Sequence, residues 1–313
     1  YSYPYGYDEG YLWCLPWNFA TESLFYNKSH FLQAGIAFPD ESWTWENLRH
    51  AALALTTNAS TDGEPKRWGV ELQLNNLDYV LRSFGGGFLI EGERDEVKIG
   101  RGNVSALRYV ADLILKDQVH PYPTPGWREG FGQGRVSMAF LPERAAVSLN
   151  AVYGLDFDVA PVPQGPEGRV TSFSATGIGM GWHTDWEEGS WELMKWFAHA
   201  DGGEWAVARA LLILGGSPVS LQSANEFLWN DFVQEPENRS VFLQNLEYAM
   251  VPFSGEEWWP FFDEDSLFNF FEDDHLRKEV QQSLQGIWEG TAAVDELAKE
   301  LYERWKSIEW YWP

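Results

Sequence analysis

Residues 15–28 of this chain read Leu-Pro-Trp-Asn-Phe-Ala-Thr-Glu-Ser-Leu-Phe-Tyr-Asn-Lys. Apolar residues at both ends predict a strand that is interrupted by the polar run 18–23 and then resumes. The chain continues as Phe-Leu-Gln-Ala-Gly at 31–35 and Trp-Thr-Trp-Glu-Asn-Leu at 43–48, which predicts two helices. Gly35 fits the left-handed position just past a helix end, and Thr44 fits the N-cap of the second helix.

The rest of the chain keeps this alternation of strands and helices. Strands are predicted at 68–72, 136–140, 157–163 and 170–180, helices at 77–84 and 103–116, and a helix followed by a turn within 127–134. From 186 onward the pattern is mostly helical, with helices predicted at 186–201, 203–214, 220–231, 237–248, 264–289 and 292–308. Such alternation predicts an α/β protein whose sheets are covered on both faces and whose ligands bind beyond the carboxyl ends of strands.

Length and composition indicate a globular protein of two domains. The chain has 313 residues, 44% of them hydrophobic, which is enough to bury a large core. Aromatic residues are unusually frequent, with 18 Trp, 13 Tyr and 20 Phe. Many of these rings must pack the core, but flat rings also stack on the C–H faces of sugars.

The charge of the chain excludes two classes of partner. A net charge of −25 argues against binding to nucleic acid or to anionic membranes, because both need a surplus of Lys and Arg. Two explanations of the acidity stay open, namely solubility through self-repulsion and adaptation of the host to salt or acid. No run of 18 apolar residues is present, so the sequence predicts no transmembrane helix.

The sequence predicts neither a cofactor nor a metal site. Cys14 is the only cysteine, which excludes an internal disulfide, and its apolar neighbours favour a buried, unreactive thiol. The six histidines are scattered without metal-ligand spacing, and the acidic runs at 263–265 and 272–274 favour a solvated surface over a calcium loop. Hydrolase, P-loop and dinucleotide-binding motifs are also missing from the sequence.

Several segments resemble, in order, the family 1 extracellular solute-binding proteins, which are the ligand-capture components of ABC importers. Residues 15–28 resemble the segment where that family crosses between lobes. The others are Gly-Gly-Gly-Phe-Leu at 85–89, Phe-Gly-Gln-Gly-Arg-Val-Ser-Met-Ala-Phe at 131–140, the run 157–166, the glycine-rich return at 173–181, and the helix start at 285–297.

The resemblance implies a two-lobed, periplasmic-binding-protein-like fold of type II. The first lobe is expected at 1–19 and 171–250, the second at 20–170 and 251–313, with hinge crossings near 19–23 and 170–174. We expect the first lobe to be incomplete, because the βαβ units that open the family's fold have no counterpart before Tyr1. The implied location is extracytoplasmic, either periplasmic or lipid-anchored, although the chain itself carries no signal segment.

The implied function is the capture of a sugar or oligosaccharide in a cleft between lobes, by aromatic stacking and hydrogen bonding. The protein would then close about its hinge and deliver the carbohydrate to the transmembrane subunits of an ABC permease. We expect a monomer that is not an enzyme. A glycoside-acting enzyme stays open as the alternative, because a Trp-rich cleft with paired Asp and Glu also describes glycosidases.

Candidate ligand contacts come from five places in the chain. They are Trp17, Asn18, Thr21 and Glu22 in the polar run, Asn75, Asp78 and Tyr79 at a helix start, Glu143 and Arg144 after a strand, Ser172 and Ser174 on the return crossing, and Trp258 and Trp259 in a polar-flanked loop.

Each group also has a purely structural alternative. The polar run could cap strand ends, and the residues at the helix start could be N-caps. The pair at 143–144 could be a surface ion pair of small energetic worth. The adjacent tryptophans could pack one lobe, although two exposed rings side by side favour a binding role.

Overall fold

A computed structural model of the protein describes residues 7–8, 11–12, 14–58, 65–73, 76–86, 89–90, 97–98, 101–181, 183–198, 217–218, 236–250, 282 and 284–295. The chain divides into two compact units. Unit 1 comprises Tyr1–Ser29, Leu141–Val162 and Thr171–Gly255, and unit 2 comprises His30–Phe140, Pro163–Val170 and Glu256–Pro313.

The described strands and helices follow each other as a mixed α/β chain. The strands are β1 (Tyr7–Asp8), β2 (Tyr11–Leu12), β3 (Cys14–Asn27), β4 (Thr57–Asn58), β5 (Pro65–Arg67), β6 (Leu89–Ile90), β7 (Val97–Lys98), β8 (Met138–Pro142), β9 (Phe157–Ala160), β10 (Thr171–Gly179), β11 (Ser217–Pro218) and β12 (Ala249–Met250). The α-helices are α1 (Lys28–Ala34), α2 (Trp45–Leu55), α3 (Leu77–Ser83), α4 (Arg101–Ala111), α5 (Arg144–Ser148), α6 (Glu187–Ala198) and α7 (Val241–Gln244). Single π-helical turns at Asp112–Lys116 and Leu149–Tyr153 extend α4 and α5, and a 3-10 turn at Asn245–Glu247 extends α7.

Strand β3 organises the sheet of unit 1. Its first half pairs antiparallel with β10, from Cys14 opposite Gly179 to Thr21 opposite Phe173, and its last four residues pair antiparallel with β9. Strands β8 and β11 also pair with β3, and β12 pairs parallel with β10. The apolar residues of β3 form the core of this unit, where the Phe25 ring lies 5.6 Å from that of Phe157 and 6.0 Å from that of Phe242.

The predicted interruption of this strand at 18–23 is wrong. Strand β3 runs without a break through all fourteen of its residues. Thr21 and Ser23 are fully buried, and their hydroxyl groups take part in hydrogen bonds inside unit 1. Polar residues can therefore continue a strand here because each of them has a buried partner.

Helix α2 of unit 2 begins where the sequence predicts. Thr44 accepts a hydrogen bond from the backbone N–H of Asn47, and the Asn47 side chain accepts from the N–H of Thr44, which completes a capping box. The apolar face of the helix, Leu48, Ala51, Ala52 and Leu55, is buried as its helical spacing requires. Gly35 after α1 has the expected positive φ, 68°.

Aromatic side chains form the centre of unit 2. The Trp45 ring lies 5.4 Å from that of Phe140 and 5.8 Å from that of Tyr109. The Trp45 indole N–H donates to the Ser83 hydroxyl at 2.8 Å, and the Tyr109 hydroxyl donates to the Trp45 carbonyl at 2.6 Å. Each polar edge of this cluster thus has a partner, which buried Trp and Tyr require.

Other sequence predictions have mixed outcomes. Helices α3, α4 and α6 lie where they are predicted, and the strands predicted at 157–163 and 170–180 are present as β9 and β10. The segment 127–134 consists of successive turns and contains no helix, which corrects that prediction. The helices predicted at 203–214 and 220–231 lie outside the described residues, as do the acidic runs at 263–265 and 272–274.

None of the helices that the structure describes has the length and apolarity needed to cross a bilayer. Among those same residues, no three His, Cys, Asp or Glu side chains are grouped closely enough to hold a metal ion.

Candidate functional site

Strands β3 and β10 bring several predicted ligand residues together in unit 1. Asn18 lies opposite Thr176, and its side-chain oxygen accepts a hydrogen bond from the Thr176 N–H at 3.1 Å. Ser174 lies opposite Ala20 and is exposed, whereas Ser172 is half-buried. Asn18, Ser172 and Ser174 therefore share one pair of neighbouring strands.

Thr21 and Glu22 belong to a buried polar network. The Thr21 hydroxyl donates to the Phe242 carbonyl at 3.1 Å. The Glu22 carbonyl accepts from the Thr171 hydroxyl at 2.7 Å and from the Asn245 side-chain amide at 2.9 Å. A carbonyl oxygen has two lone pairs, so side chains alone satisfy this one. The network attaches β3 to two segments that come much later in the sequence.

Glu143 and Arg144 differ sharply in their surroundings. Glu143 directly precedes α5 and is only 7% exposed, whereas Arg144 opens the helix and is exposed. A surface ion pair between them does not fit the burial of Glu143. A buried carboxylate is costly unless something compensates its charge. Burial therefore makes Glu143 a stronger candidate for a specific role than Arg144.

In unit 2, the predicted group at the start of α3 is described only in part. Tyr79 is 1% exposed, and its ring lies 5.9 Å from that of Phe140, within the aromatic core. Asp78 lies in the first turn of α3, where only its backbone is described. The same holds for Trp17 in β3, while Asn75, Trp258 and Trp259 lie outside the described residues.

A cavity in unit 2 was not predicted from the sequence. Its volume is about 320 Å³, and its described lining comes from four separate parts of the chain. Aliphatic walls are formed by Leu72, Leu77, Val80, Val110, Ile114 and Leu284. Aromatic rings come from His120, Tyr122 and Trp288, and uncharged polar groups from Gln73, Thr124 and Gln285. No local motif signals it, because each segment supplies only two to four of these residues.

His120 is held in one neutral form at the wall of this cavity. Its Nε2 accepts from the Leu72 N–H at 2.8 Å, so Nδ1 carries the proton and donates to the Pro121 carbonyl at 2.7 Å. Burial lowers the pKa of His120 to about 4, because the charged imidazolium is poorly solvated there. The ring therefore contributes a flat, uncharged surface.

Glu71 is a second buried acid that sequence reasoning missed. It lies in the segment that bridges Ala139, is 1% exposed, and points toward the turn at Gly126–Gly130. Among the described residues, neither of its carboxylate oxygens has a hydrogen-bond partner of standard geometry. Burial raises its pKa to about 7, and the backbone N–H of Gly126 offsets this rise only in part.

The family model for bacterial extracellular solute-binding proteins matches residues 1–204 of the chain. The protein therefore belongs to the bacterial extracellular solute-binding protein family. The description of that family places its members outside the cytoplasm. No curated protein sequence matches the chain.

Solved structures of substrate-binding proteins share the two-lobed α/β fold. The Listeria monocytogenes ABC substrate-binding protein Lmo0181, in complex with cycloalternan, has a TM-score of 0.74 at 18% identity, over 96% of this chain and 72% of that one. Maltose-bound T. maritima MalE3 gives 0.70 at 20%, over 96% and 74%. The cyclic α-maltosyl-1,6-maltose binding protein from Arthrobacter globiformis gives 0.70 at 20%, over 97% and 73%. The family match confirms the predicted family, and these structures confirm the predicted fold class.

Proposed function

We propose that the protein captures a sugar or oligosaccharide outside the cytoplasm and delivers it to the transmembrane subunits of an ABC importer. The observation that carries the proposal is the match to the solute-binding family over residues 1–204. The relatives support the ligand class, since cycloalternan, maltose and a cyclic maltosyl-maltose are carbohydrates. The protein would act by binding alone, as a monomer, with no cofactor and no chemical step.

The proposed ligand-binding site uses residues from both predicted lobes. Asn18, Ser172 and Ser174 would form hydrogen bonds with sugar hydroxyls, together with Thr21, Glu22, Asn75, Asp78, Tyr79, Glu143 and Arg144. The Trp17 ring would stack on the sugar. Trp258 and Trp259 would supply a stacking face. Closure would take place about crossings near 19–23 and 170–174, where side chains satisfy the Glu22 carbonyl. The same proposal places the protein in the periplasm or, through a lipid anchor, at the cell surface. It also includes the lobe boundaries given in the sequence analysis.

Titration with carbohydrates tests binding and enzymatic activity together. Maltose and cyclic maltooligosaccharides are added to the protein in a calorimeter, and the mixtures are then assayed for new reducing ends. Saturable heat without any product supports capture. Formation of product would instead show that the protein is a glycoside-acting enzyme.

Tryptophan variants test the stacking face. We expect Trp258→Ala or Trp259→Ala to weaken carbohydrate binding by about tenfold or more, because a ring that stacks on a sugar buries a large apolar area. Trp186→Ala is the matched control, since Trp186 is 74% exposed and is not a predicted contact. Unchanged affinity in both test variants would remove the two tryptophans from the site.

A further inference from the structure

We propose that the cavity in unit 2 is a second binding site, for a small uncharged aromatic alcohol. This inference goes beyond the proposed carbohydrate function and does not rest on it. At about 320 Å³, the cavity falls at the lower end of small-molecule sites, which span about 300–1,000 Å³. Apolar cavities of roughly 150 Å³ accept benzene, so one ring with a short side chain fits here.

The described lining disfavours a charged ligand. Every described residue that lines the cavity is uncharged, although 22% of the chain is Asp, Glu, Lys or Arg. The one histidine is kept neutral by its burial, which lowers its pKa to about 4, and its Nε2 accepts from the Leu72 N–H. An ion that entered would lose its water without gaining a counter-charge, which is costly. The described lining therefore favours a neutral occupant.

The walls change from apolar to polar between the floor and the mouth. Val80 and Leu284 are buried on the aliphatic side, whereas Tyr122, Thr124 and Gln285 are exposed. A fitting ligand has an apolar end that enters first and a polar end that remains near solvent. A sugar fits poorly, because hydroxyl groups surround its ring and each one against the aliphatic wall would lose its hydrogen bonds to water without a replacement.

Polar groups at the mouth can recognise a hydroxyl group. Within the described part of the chain, the side chains of Gln73 and Thr124 form no hydrogen bond, so both remain able to bind a ligand. Gln285 donates through its amide nitrogen to Glu289 at 2.6 Å, which leaves its oxygen as an acceptor. The flat rings of Trp288 and His120 favour an aromatic ring between them.

Matched ligands test the proposed chemistry. The intact protein is titrated by calorimetry with 2-phenylethanol and with phenylacetate, which share a ring but differ in charge. We expect saturable binding of the alcohol and at least about tenfold weaker binding of the acid. Equal binding of the two, or no saturable binding of the alcohol, would overturn the proposal.

A pair of neighbouring substitutions tests the location. Ile114→Trp places a large ring in the cavity from a half-buried position, while Leu115→Trp adds the same ring at the next residue, which is 43% exposed and does not line the cavity. The first should weaken 2-phenylethanol binding by at least about tenfold, and the second should leave it unchanged. Equal effects of the two would place the ligand elsewhere.

A spectroscopic readout covers the case in which Ile114→Trp does not fold. The NMR signal of the Trp288 indole N–H is assigned by its loss in Trp288→Phe. This signal should shift when 2-phenylethanol is added to the unmodified protein. Shifts confined to other signals would overturn the location. A saturating concentration of carbohydrate should leave the affinity for 2-phenylethanol unchanged, because the two sites are separate. Competition between the two ligands would show that they share one site and would overturn the proposal of a second site. Failure of carbohydrate binding alone would leave this result intact.

Discussion

A single buried acid, Glu71, should make the stability of the protein depend on pH. In the folded state its pKa is about 7, against an ordinary value of 4.5, because burial disfavours the charged form. The folded state thus holds the proton more tightly, and stability is lost as pH rises from about 4.5 to 7. This difference in pKa corresponds to a loss of roughly 3 kcal/mol in the free energy of unfolding.

The variant Glu71→Gln should remove this dependence. We expect its free energy of unfolding to exceed that of the unmodified protein increasingly between pH 4.5 and 7, and to stay higher above pH 7. Denaturant titrations at a series of pH values measure the difference. Glu129→Gln is the control, because Glu129 is exposed in the adjacent turn. A difference that did not change with pH would show that Glu71 has an ordinary pKa.

Asn245 should contribute strongly to the stability of unit 1. It is fully buried and donates both to the Glu22 carbonyl and to the Ser23 hydroxyl, at 2.9 and 2.7 Å. Asn245→Ala leaves these acceptors without those donors, which should cost about 1–3 kcal/mol in denaturant unfolding. Asn150→Ala, at an exposed position, should have little effect. Equal stabilities of the two variants would contradict the role of the network.

Residues with local partners could be predicted from the sequence, and those with distant partners could not. Thr44 bonds with Asn47, three residues away, so the cap can be read from the sequence. His120 and Leu72 are 48 positions apart, and Asn245 and Glu22 are 223 apart. No sequence spacing indicates contacts at that separation, which is why His120 and Asn245 were missed.

At the scale of elements, one glycine controls how closely the 68–72 segment approaches α2. An added Cβ at Gly69 would overlap the carbonyl oxygen and Cα of Ala52. Gly69→Ala should therefore destabilise the protein by about 1–3 kcal/mol through overpacking. Gly181→Ala is the matched control, since its added Cβ meets nothing within 4 Å. Equal melting temperatures for the two variants would show that the contact can relax.

Elements with one strong periodic signal were predicted well. Helix α2 combines a cap with a buried apolar face, and both signals agree. Strand β3 was predicted as two pieces, because a polar run usually ends a strand and its buried partners lie far away in sequence. The 127–134 segment was predicted as a helix and turn, but it contains turns only. Gly126 just before it and Gly134 at its end have positive φ, which favours turns.

The whole molecule carries a large surplus of negative charge, which should make its stability depend on salt. A net charge of −25 repels itself in the compact state, and salt screens that repulsion. We expect the melting temperature to rise as NaCl increases from about 0.01 to 1 M, since the Debye length falls from about 30 to 3 Å. Choline chloride should act equally if screening is the cause, whereas an effect of NaCl alone would indicate binding of a specific ion.

The resemblance to the family suggested which residues belong to the candidate site, but the sequence did not show how those residues are arranged in space. Polar residues in the crossing segment led to Asn18, Thr21 and Glu22, which the structure places on one strand of unit 1. Tyr79 belongs to unit 2. The aromatic rings and the side-chain amides that line the cavity come from segments that are far apart in the sequence. No motif joins these segments, so the cavity could not be predicted from the sequence.

The two hydrogen bonds at the Glu22 carbonyl have a consequence for biosynthesis. Residue 22 leaves the ribosome 223 residues before Asn245 and 149 before Thr171. The interior of unit 1 therefore cannot be completed until residue 245 has been synthesised, and water hydrates the Glu22 carbonyl until then. Folding of unit 1 is thus expected to finish late in the synthesis of these residues.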